Sequence, residues 1–138
     1  MVITFQKELE TQSAYDIIRL TDEVKQLVSQ AGVQDGIALL HCTGTTASIL
    51  ITEYERGILE DLRAKFEEFT PRKHDYRHHD RGVDDNGSAH VLYAFLNQNV
   101  SVPIAGGQLL LGTWQEIVLI NLDTLPRKRT WVLQIFGE

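Results

Sequence analysis

Two apolar segments near the end of the chain decide the fold: Thr113-Trp-Gln-Glu-Ile-Val-Leu-Ile-Asn-Leu122 and Thr130-Trp-Val-Leu-Gln-Ile-Phe136. Both are rich in β-branched and aromatic side chains, which fit the pleated surface of a sheet. The polar stretch between them, which contains Pro126, is typical of a turn. We therefore predict two long strands joined as a hairpin, with the basic cluster Arg127-Lys-Arg129 solvated at its tip.

The segment before this pair continues the pattern of strands and turns. Val100-Ser-Val-Pro-Ile104 alternates, and Gly106-Gly107 suits a tight hairpin. Pro103 within a strand indicates an edge position or a bulge. These features predict an antiparallel meander over the last forty residues.

The first two thirds of the chain alternate between strand and helix patterns. Thr21 is expected to cap the first helix and Asn97 to be left-handed after the last one. Adjacent strands with helices inserted between them indicate an α+β domain, mainly antiparallel. Strands are predicted at 2–8, 14–20, 37–42 and 45–52, and helices at 22–31, at 55–69 and shortly after Asn86 or Ser88.

Length, composition and charge narrow the class of protein. A chain of 138 residues with 43% hydrophobic residues fits one domain, residues 1–138, with its own core. The net charge of −6 argues against general nucleic-acid binding, which needs clustered positive charge. Cys42 is the only cysteine, the first residues lack the order of a signal peptide, and no apolar run approaches the roughly 20 residues of a membrane helix. We expect a cytoplasmic protein without nucleic-acid or membrane partners.

The most polar stretch runs from His74 to His90: His-Asp-Tyr-Arg-His-His-Asp-Arg-Gly-Val-Asp-Asp-Asn-Gly-Ser-Ala-His. It contains four of the five histidines, four aspartates and two arginines. Connections of this length in a compact domain are usually functional or disordered. We therefore predict that this loop carries the functional site and that the rest of the chain is its scaffold.

Several familiar chemistries are excluded because their motifs are missing. The sequence has no phosphate loop, dinucleotide-binding turn, His-Glu-x-x-His zinc helix, Cys-x-x-Cys pair or Gly-x-Ser-x-Gly elbow. Cys42 lies inside an apolar strand and is interpreted as a small buried hydrophobe rather than a nucleophile. His74 and His78 are four residues apart, but in a loop this spacing fixes no metal geometry.

Several local patterns occur together in a fixed order. In that order and spacing they resemble the YjbQ family, also known as the secondary thiamine-phosphate synthase family, over nearly the whole chain. The block 112–115 is the most specific part of the resemblance. The patterns are Gly44-Thr-Thr-Ala47 leading through Ile49 to Glu53-Tyr-Glu55, the Asn-x-x-x-His of Asn86 and His90, Gly107 followed by Gly112-Thr-Trp-Gln115, and the terminal Gly137-Glu138.

The resemblance implies an α+β fold in which a strongly bent, mainly antiparallel sheet packs with two to three helices. It also implies a homotrimer with a pocket at the subunit boundary, lined by the histidine segment. The activity it implies is a weak thiamine-phosphate synthase one, which joins a pyrimidine diphosphate to a thiazole phosphate and releases pyrophosphate. The sequence departs from the family pattern at Leu92, Asn97 and Asn99, and Leu92 removes a positive charge that would meet a phosphate.

The candidate catalytic residues are His90, Asn86 and Glu53. His90 is expected in the first turn of a helix beside the polar loop, where a histidine serves as a general acid–base or a metal ligand. Asn86 is interpreted either as a helix cap or as an amide that orients substrate. Glu53 is either a surface carboxylate or a partner for a metal or a protonated base.

The candidate binding residues are of types that bind anions. Backbone N–H groups and hydroxyls after Gly44 suit an anion, although ordinary strand threonines fit the same sequence. Guanidinium groups of the loop match phosphate oxygens, and a solvated loop is the alternative. An indole is also valuable at a subunit interface without any catalytic role. The residues predicted to bind substrate are Thr45, Thr46, Arg77, His78, Trp114 and Gln115.

Two functions of different class remain open from the sequence. The first is an enzyme acting on a small phosphorylated metabolite, with arginine or a divalent metal, Mg or Zn, stabilising charge. The second is a non-catalytic trimeric module that binds a metabolite or anion. Metal storage or sensing by the histidines is a third interpretation.

Overall fold

The computed structural model describes residues 1–138 and contains eight strands, three α-helices and one short 3₁₀ turn. The α+β fold class predicted from the sequence is confirmed. The strands are β1 (Val2–Glu10), β2 (Ile17–Arg19), β3 (Gly36–Cys42), β4 (Ala47–Thr52), β5 (Asn99–Ala105), β6 (Gln108–Leu109), β7 (Glu116–Asn121) and β8 (Lys128–Gly137). The helices are α1 (Thr21–Ala31), α2 (Arg56–Phe69) and α3 (Gly87–Phe95), and the 3₁₀ turn covers Arg77–Arg81.

The strands form two curled sheets rather than one. The larger has the order β1-β8-β3-β5-β6 and the smaller has the order β2-β7-β4. Every paired neighbour is antiparallel. The β5–β6 hairpin turns at Gly106 and Gly107, both at positive φ, as the sequence predicted. Because β6 has only two residues, most of β5 lies at the edge of its sheet, which suits Pro103.

The predicted hairpin between the last two long strands is wrong. β7 pairs with β2 and β4, whereas β8 pairs with β1 and β3 in the other sheet. The physical reason is that both edges of β7 are already occupied and that both of its faces are covered. Its residues Ile117–Ile120 are all 0% exposed. The segment 122–127 is therefore a crossover between sheets and not a solvated hairpin tip.

Three local predictions also need correction. The predicted strand 14–20 shortens to β2, because Tyr15 takes a left-handed backbone with φ of 59°. Thr21 does not cap α1; its hydroxyl accepts a hydrogen bond from the Ile117 N–H at 2.9 Å and so ties α1 to β7. Asn97 is not left-handed, since Tyr15 is the only non-glycine residue at positive φ.

Two hydrophobic clusters share the strands. The first packs α1 onto the larger sheet through side chains such as Val24, Leu40 and Leu133. The second packs α2 and α3 against the opposite face of β7, where Phe66 and Leu92 lie. Burying a side chain of this size contributes about 1.5–3 kcal/mol. Leu92, where the sequence departs from the family pattern, is thus a core residue at 2% exposure.

Cys42 is completely buried in the first cluster. Burial raises the pKa of the Cys42 thiol, so the thiolate that a nucleophile requires is disfavoured. The interpretation of Cys42 as a small hydrophobe agrees with this position. None of the helices combines the length and the apolar character needed to cross a bilayer.

Replacing Leu40 with alanine tests the central position of β3. Leu40 is 0% exposed, so we expect the free energy of unfolding to fall by about 2–5 kcal/mol in urea titrations. Leu125→Ala is the matched control, because Leu125 is 55% exposed and its loss should cost about 0.5 kcal/mol or less. Equal losses in the two variants would contradict the assigned core.

Candidate functional site

The polar loop is ordered by a short turn and a close backbone approach. Arg77–Arg81 form the 3₁₀ turn, which ends at Gly82 in a left-handed conformation with φ of 65°. The His79 Nε2 then accepts a hydrogen bond from the Gly87 N–H at 2.9 Å. A Cβ at Gly87 would lie 2.6 Å from the Tyr76 Cβ, so only glycine allows the loop to fold back onto the start of α3.

Two histidines of the loop lie side by side. The ring centroids of His78 and His90 are 4.6 Å apart. The His78 Nε2 lies 2.8 Å from the Asp84 Oδ1, at ion-pair distance but without the alignment of a hydrogen bond. Burial lowers the pKa of His90, and the charge of nearby His78 lowers it further, against the opposing effects of Asp84 and Asp123. The neutral His90 imidazole is therefore the favoured form at pH 7.

Asn86 occupies the N-cap position of α3, but its side chain does not cap the helix. Its Nδ2 instead donates to the Asp123 Oδ2 at 3.2 Å, while its buried Oδ1 has no partner. The sequence left open whether Asn86 caps the helix or orients a substrate. Because the side chain contacts Asp123, it does not cap the helix. Its Oδ1 is a buried acceptor that receives no hydrogen bond.

Asp123 is a site residue that the sequence reasoning missed. It is 1% exposed and also accepts from the Arg127 Nε at 3.0 Å and from the Thr124 N–H at 2.7 Å. Burial alone would raise the pKa of Asp123, but the hydrogen bonds from Asn86, Arg127 and Thr124 and the charge of Arg127 outweigh it and lower the pKa. Asp123 is thus a buried, ionised carboxylate. The available signal was an acidic residue directly after a buried strand.

Arg129 is the second missed residue, and it corrects the interpretation of the basic cluster as a solvated turn. Arg127 and Lys128 are exposed, but Arg129 is only 7% exposed. Its Nη2 donates to the Thr46 carbonyl and the Thr46 hydroxyl, each at 2.9 Å, and to the Asn121 Oδ1. The end of β8 is thereby bonded to the bend before β4.

The end of β7 and the residues after it join these groups into one polar network. Asn121 accepts from Arg129, and its Nδ2 donates to the Asp123 carbonyl at 3.4 Å. The Asp123 carboxylate in turn holds Asn86 and acts on the charges of both His90 and Arg129. The structure thus links the histidine loop, through residues 121–123, to the bend that contains Thr46.

Other predicted site residues lie outside this network. Glu53 and Arg77 are exposed and form no ion pair, and Thr45 is exposed beside its buried neighbour Thr46. Trp114 is 72% exposed, and Gln115 accepts a hydrogen bond from the Gly112 N–H at 2.7 Å within its own turn. None of these side chains contacts His90.

The donor set does not fit a resident metal. No three His, Cys, Asp or Glu side chains converge on a metal-sized space, whereas a zinc site takes three or four such ligands. The groups that do converge are amides, a guanidinium, hydroxyls and one ion pair. They suit hydrogen bonding to a polar ligand.

A cavity of about 540 Å³ lies elsewhere, between α1 and the β5–β6 hairpin. Lys25 is the only titratable residue in its lining, which otherwise includes Val28, Gly107 and Leu109. A cavity with so little chemistry is a weaker candidate than the polar network. We therefore place the candidate functional site at the network.

Comparison with known sequences identifies the family. The family described as "UPF0047 protein YjbQ-like" matches residues 5–138. A UPF0047 protein of Archaeoglobus fulgidus is 37% identical over 126 residues, which cover 91% of this chain and 95% of that protein. The UPF0047 protein YugU of Bacillus subtilis is 31% identical over 131 residues, covering 94% of this chain and 96% of that protein.

Solved structures show the same architecture. A YbjQ-like protein of unknown function from Sulfolobus solfataricus superposes with a TM-score of 0.89 at 33% identity and covers 100% of both chains. A hypothetical protein from Aeropyrum pernix has a TM-score of 0.91 at 29% identity and covers 99% of both chains. Sequence and structure therefore agree that this chain belongs to the YjbQ-like UPF0047 family.

Proposed function

We propose that the protein is an enzyme that acts on a small phosphorylated metabolite and uses His90 for proton transfer. The observation that carries the proposal is the half-buried His90 imidazole, whose ring centroid lies 4.6 Å from that of the tilted His78 ring, close to a network containing an unpartnered buried amide oxygen. A neutral imidazole is ready to accept a proton at pH 7. The free Oδ1 of Asn86 is suited to orient a donor group of the substrate.

The reaction that we propose is of the thiamine-phosphate synthase type. As the C–O bond to pyrophosphate breaks, the neutral His90 imidazole accepts a proton from the amino group of the pyrimidine, and pyrophosphate leaves with the electrons of that bond. A nitrogen of the thiazole phosphate then forms a C–N bond to the pyrimidine methylene carbon, and His90 returns the proton to the pyrimidine amino group. Such a reaction depends mainly on positioning and on cationic or N–H groups near the leaving oxygens. The family resemblance and the concentration of His, Asn and Arg in one network support this assignment.

We also propose that the protein assembles as a homotrimer. Trp114 and Leu110 are 72% and 57% exposed on neighbouring parts of one segment. Large apolar side chains with this exposure are suited to a subunit contact.

Replacing His90 with glutamine tests the proton-transfer role. We expect kcat/KM for pyrophosphate release to fall about 100- to 10,000-fold while the circular dichroism spectrum is unchanged. His74→Gln is the matched control, because His74 is exposed on the same loop and lies outside the network, so its activity should equal that of the wild type. An undiminished His90→Gln enzyme would show that His90 is not catalytic. Ligand-dependent stabilisation without any turnover would favour the non-catalytic module instead.

The pH profile of kcat/KM tests the state of His90. Because the folded-state pKa of His90 lies below its ordinary value of 6.5, the base is lost only when the pH falls through that lowered value. We expect activity to be level from pH 8 to 6.5 and to decline below pH 6.5, measured at constant ionic strength. An acid limb centred above pH 6.5 would contradict a neutral, partly buried base.

Light scattering on a sizing column tests the trimer. We expect a mass three times that of the 15.7 kDa chain and a shift towards monomer in Trp114→Ala, because the exposed indole is removed. Phe69→Ala is the control, since Phe69 is 57% exposed but packs edge-to-face on Phe95 within the chain. A monomeric wild-type protein would refute the assembly.

A further inference from the structure

Arg129 carries a buried positive charge that no carboxylate neutralises. It is 7% exposed, and no Asp or Glu oxygen lies within ion-pair distance of its guanidinium. The carboxylate that acts on its charge, Asp123, is already bonded to Arg127 and Asn86. The Cys42 thiol is also close, but burial keeps it protonated. Desolvating an uncompensated cation is strongly unfavourable, so the arrangement requires an explanation.

The hydrogen bonds of Arg129 use only one side of the guanidinium. All three acceptors, two from Thr46 and one from Asn121, are met by Nη2. The Nε has no partner and is shielded from solvent, while Nη1 makes no hydrogen bond and retains contact with solvent. A role in joining the two sheets explains Nη2 but leaves the Nη1 donors unused.

The bend beside Arg129 contributes further free donors. Gly44 has a φ of 101°, which only glycine adopts without strain. The N–H groups of Gly44, Thr45 and Thr46 donate to no backbone or side-chain acceptor of the protein. Successive free N–H groups at such a bend are typical of anion-binding concavities in proteins.

A gap about one atom wide separates the bend from the guanidinium. A Cβ built on Gly44 would lie 3.6 Å from the Arg129 Nη1 and would meet no other heavy atom within 4 Å. An oxyanion at this place would contact the Nη1 donors from one side and the backbone of the bend from the other. The missing side chain of Gly44 therefore leaves room for one oxygen atom beside the Arg129 Nη1.

We propose that Arg129 and the Gly44–Thr46 bend form a subsite for a phosphate group of the substrate. The proposal deepens the proposed function, on which it rests for the identity of the anion as a phosphate ester or diphosphate. It places the phosphate at the crossover of the sheets rather than at Arg77 and His78 of the polar loop. The phosphate completes the charge balance of Arg129, which the protein itself leaves open.

Thermal unfolding in inorganic phosphate or pyrophosphate tests the subsite. A ligand that binds only the folded protein raises the midpoint as its concentration exceeds Kd. The unfolding midpoint of each variant in phosphate is compared with its own midpoint in potassium chloride of equal ionic strength. A change in the variant's basal stability therefore does not affect the measured shift. The informative variants are Arg129→Gln and Gly44→Ala, with Lys128→Gln as the control of equal charge change and Arg77→Gln as the probe of the loop.

We expect phosphate-dependent stabilisation in the wild type, in Lys128→Gln and in Arg77→Gln. In Arg129→Gln the affinity should fall about 10- to 100-fold, as expected when bonds to a charged group are lost. Gly44→Ala keeps the guanidinium but places a methyl group 3.6 Å from the Arg129 Nη1 and strains the bend at its φ of 101°. We expect it to lower phosphate affinity as well, so it tests the bend independently of Arg129→Gln. An unresponsive wild type, full stabilisation in both informative variants, or loss of the effect only in Arg77→Gln would overturn the proposal.

The same measurement on His90→Gln separates the subsite from the proposed function. This variant should retain the phosphate-dependent shift, because His90 is not part of the bend. If no turnover is found but the Arg129-dependent shift is present, the proposed reaction fails and the subsite stands. If turnover depends on His90 but phosphate binding does not depend on Arg129, the subsite alone fails.

Discussion

The contact between Arg129 and Asn121 is the polar constraint that fixes the two sheets where their strands diverge. Arg129 lies on β8 of the larger sheet and Asn121 lies at the end of β7 in the smaller one, and no ladder of backbone hydrogen bonds joins these strands. The same guanidinium also bonds Thr46, just before β4. One buried side chain therefore fixes three chain segments at the place where the sheets diverge. Because buried donors need partners, this geometry tolerates little displacement.

The doubly buried strand β7 transmits that constraint to the site. Its two faces contribute to different clusters, with Ile117 and Leu119 in one and Val118 and Ile120 in the other. A strand packed on both faces cannot shift in register without moving both cores. Asp123, two residues after its end, thus emerges from a rigid element. This rigidity gives the carboxylate a defined position against Asn86 and, through it, against the start of α3.

Local patterns predicted most of the elements, because helix periodicity, strand alternation and glycine turns are properties of neighbouring residues. The histidine segment was likewise recognisable from its composition, and His90 and Asn86 do lie at the start of α3. Asp123 and Arg129 were missed because their roles depend on topology. In a hairpin, residues 126–129 would be a solvated tip, whereas the actual crossover makes Arg129 part of a strand and buries it. No local pattern distinguishes a hairpin from a crossover when both strands are apolar.

The two nearby arginines differ in how their charges are balanced, and this difference bears on the proposed binding of a small anion by an acidic protein. With a net charge of −6, the surface as a whole repels polyanions. Arg127 is neutralised by Asp123, whereas Arg129, two residues later, is withdrawn from solvent and has no acidic partner. A charge in a partly desolvated position interacts more strongly with an approaching anion than the same charge on the surface does. If the ligand is bound by the buried Arg129 cation and not by the overall charge, as we propose, only an anion small enough to reach Arg129 can bind.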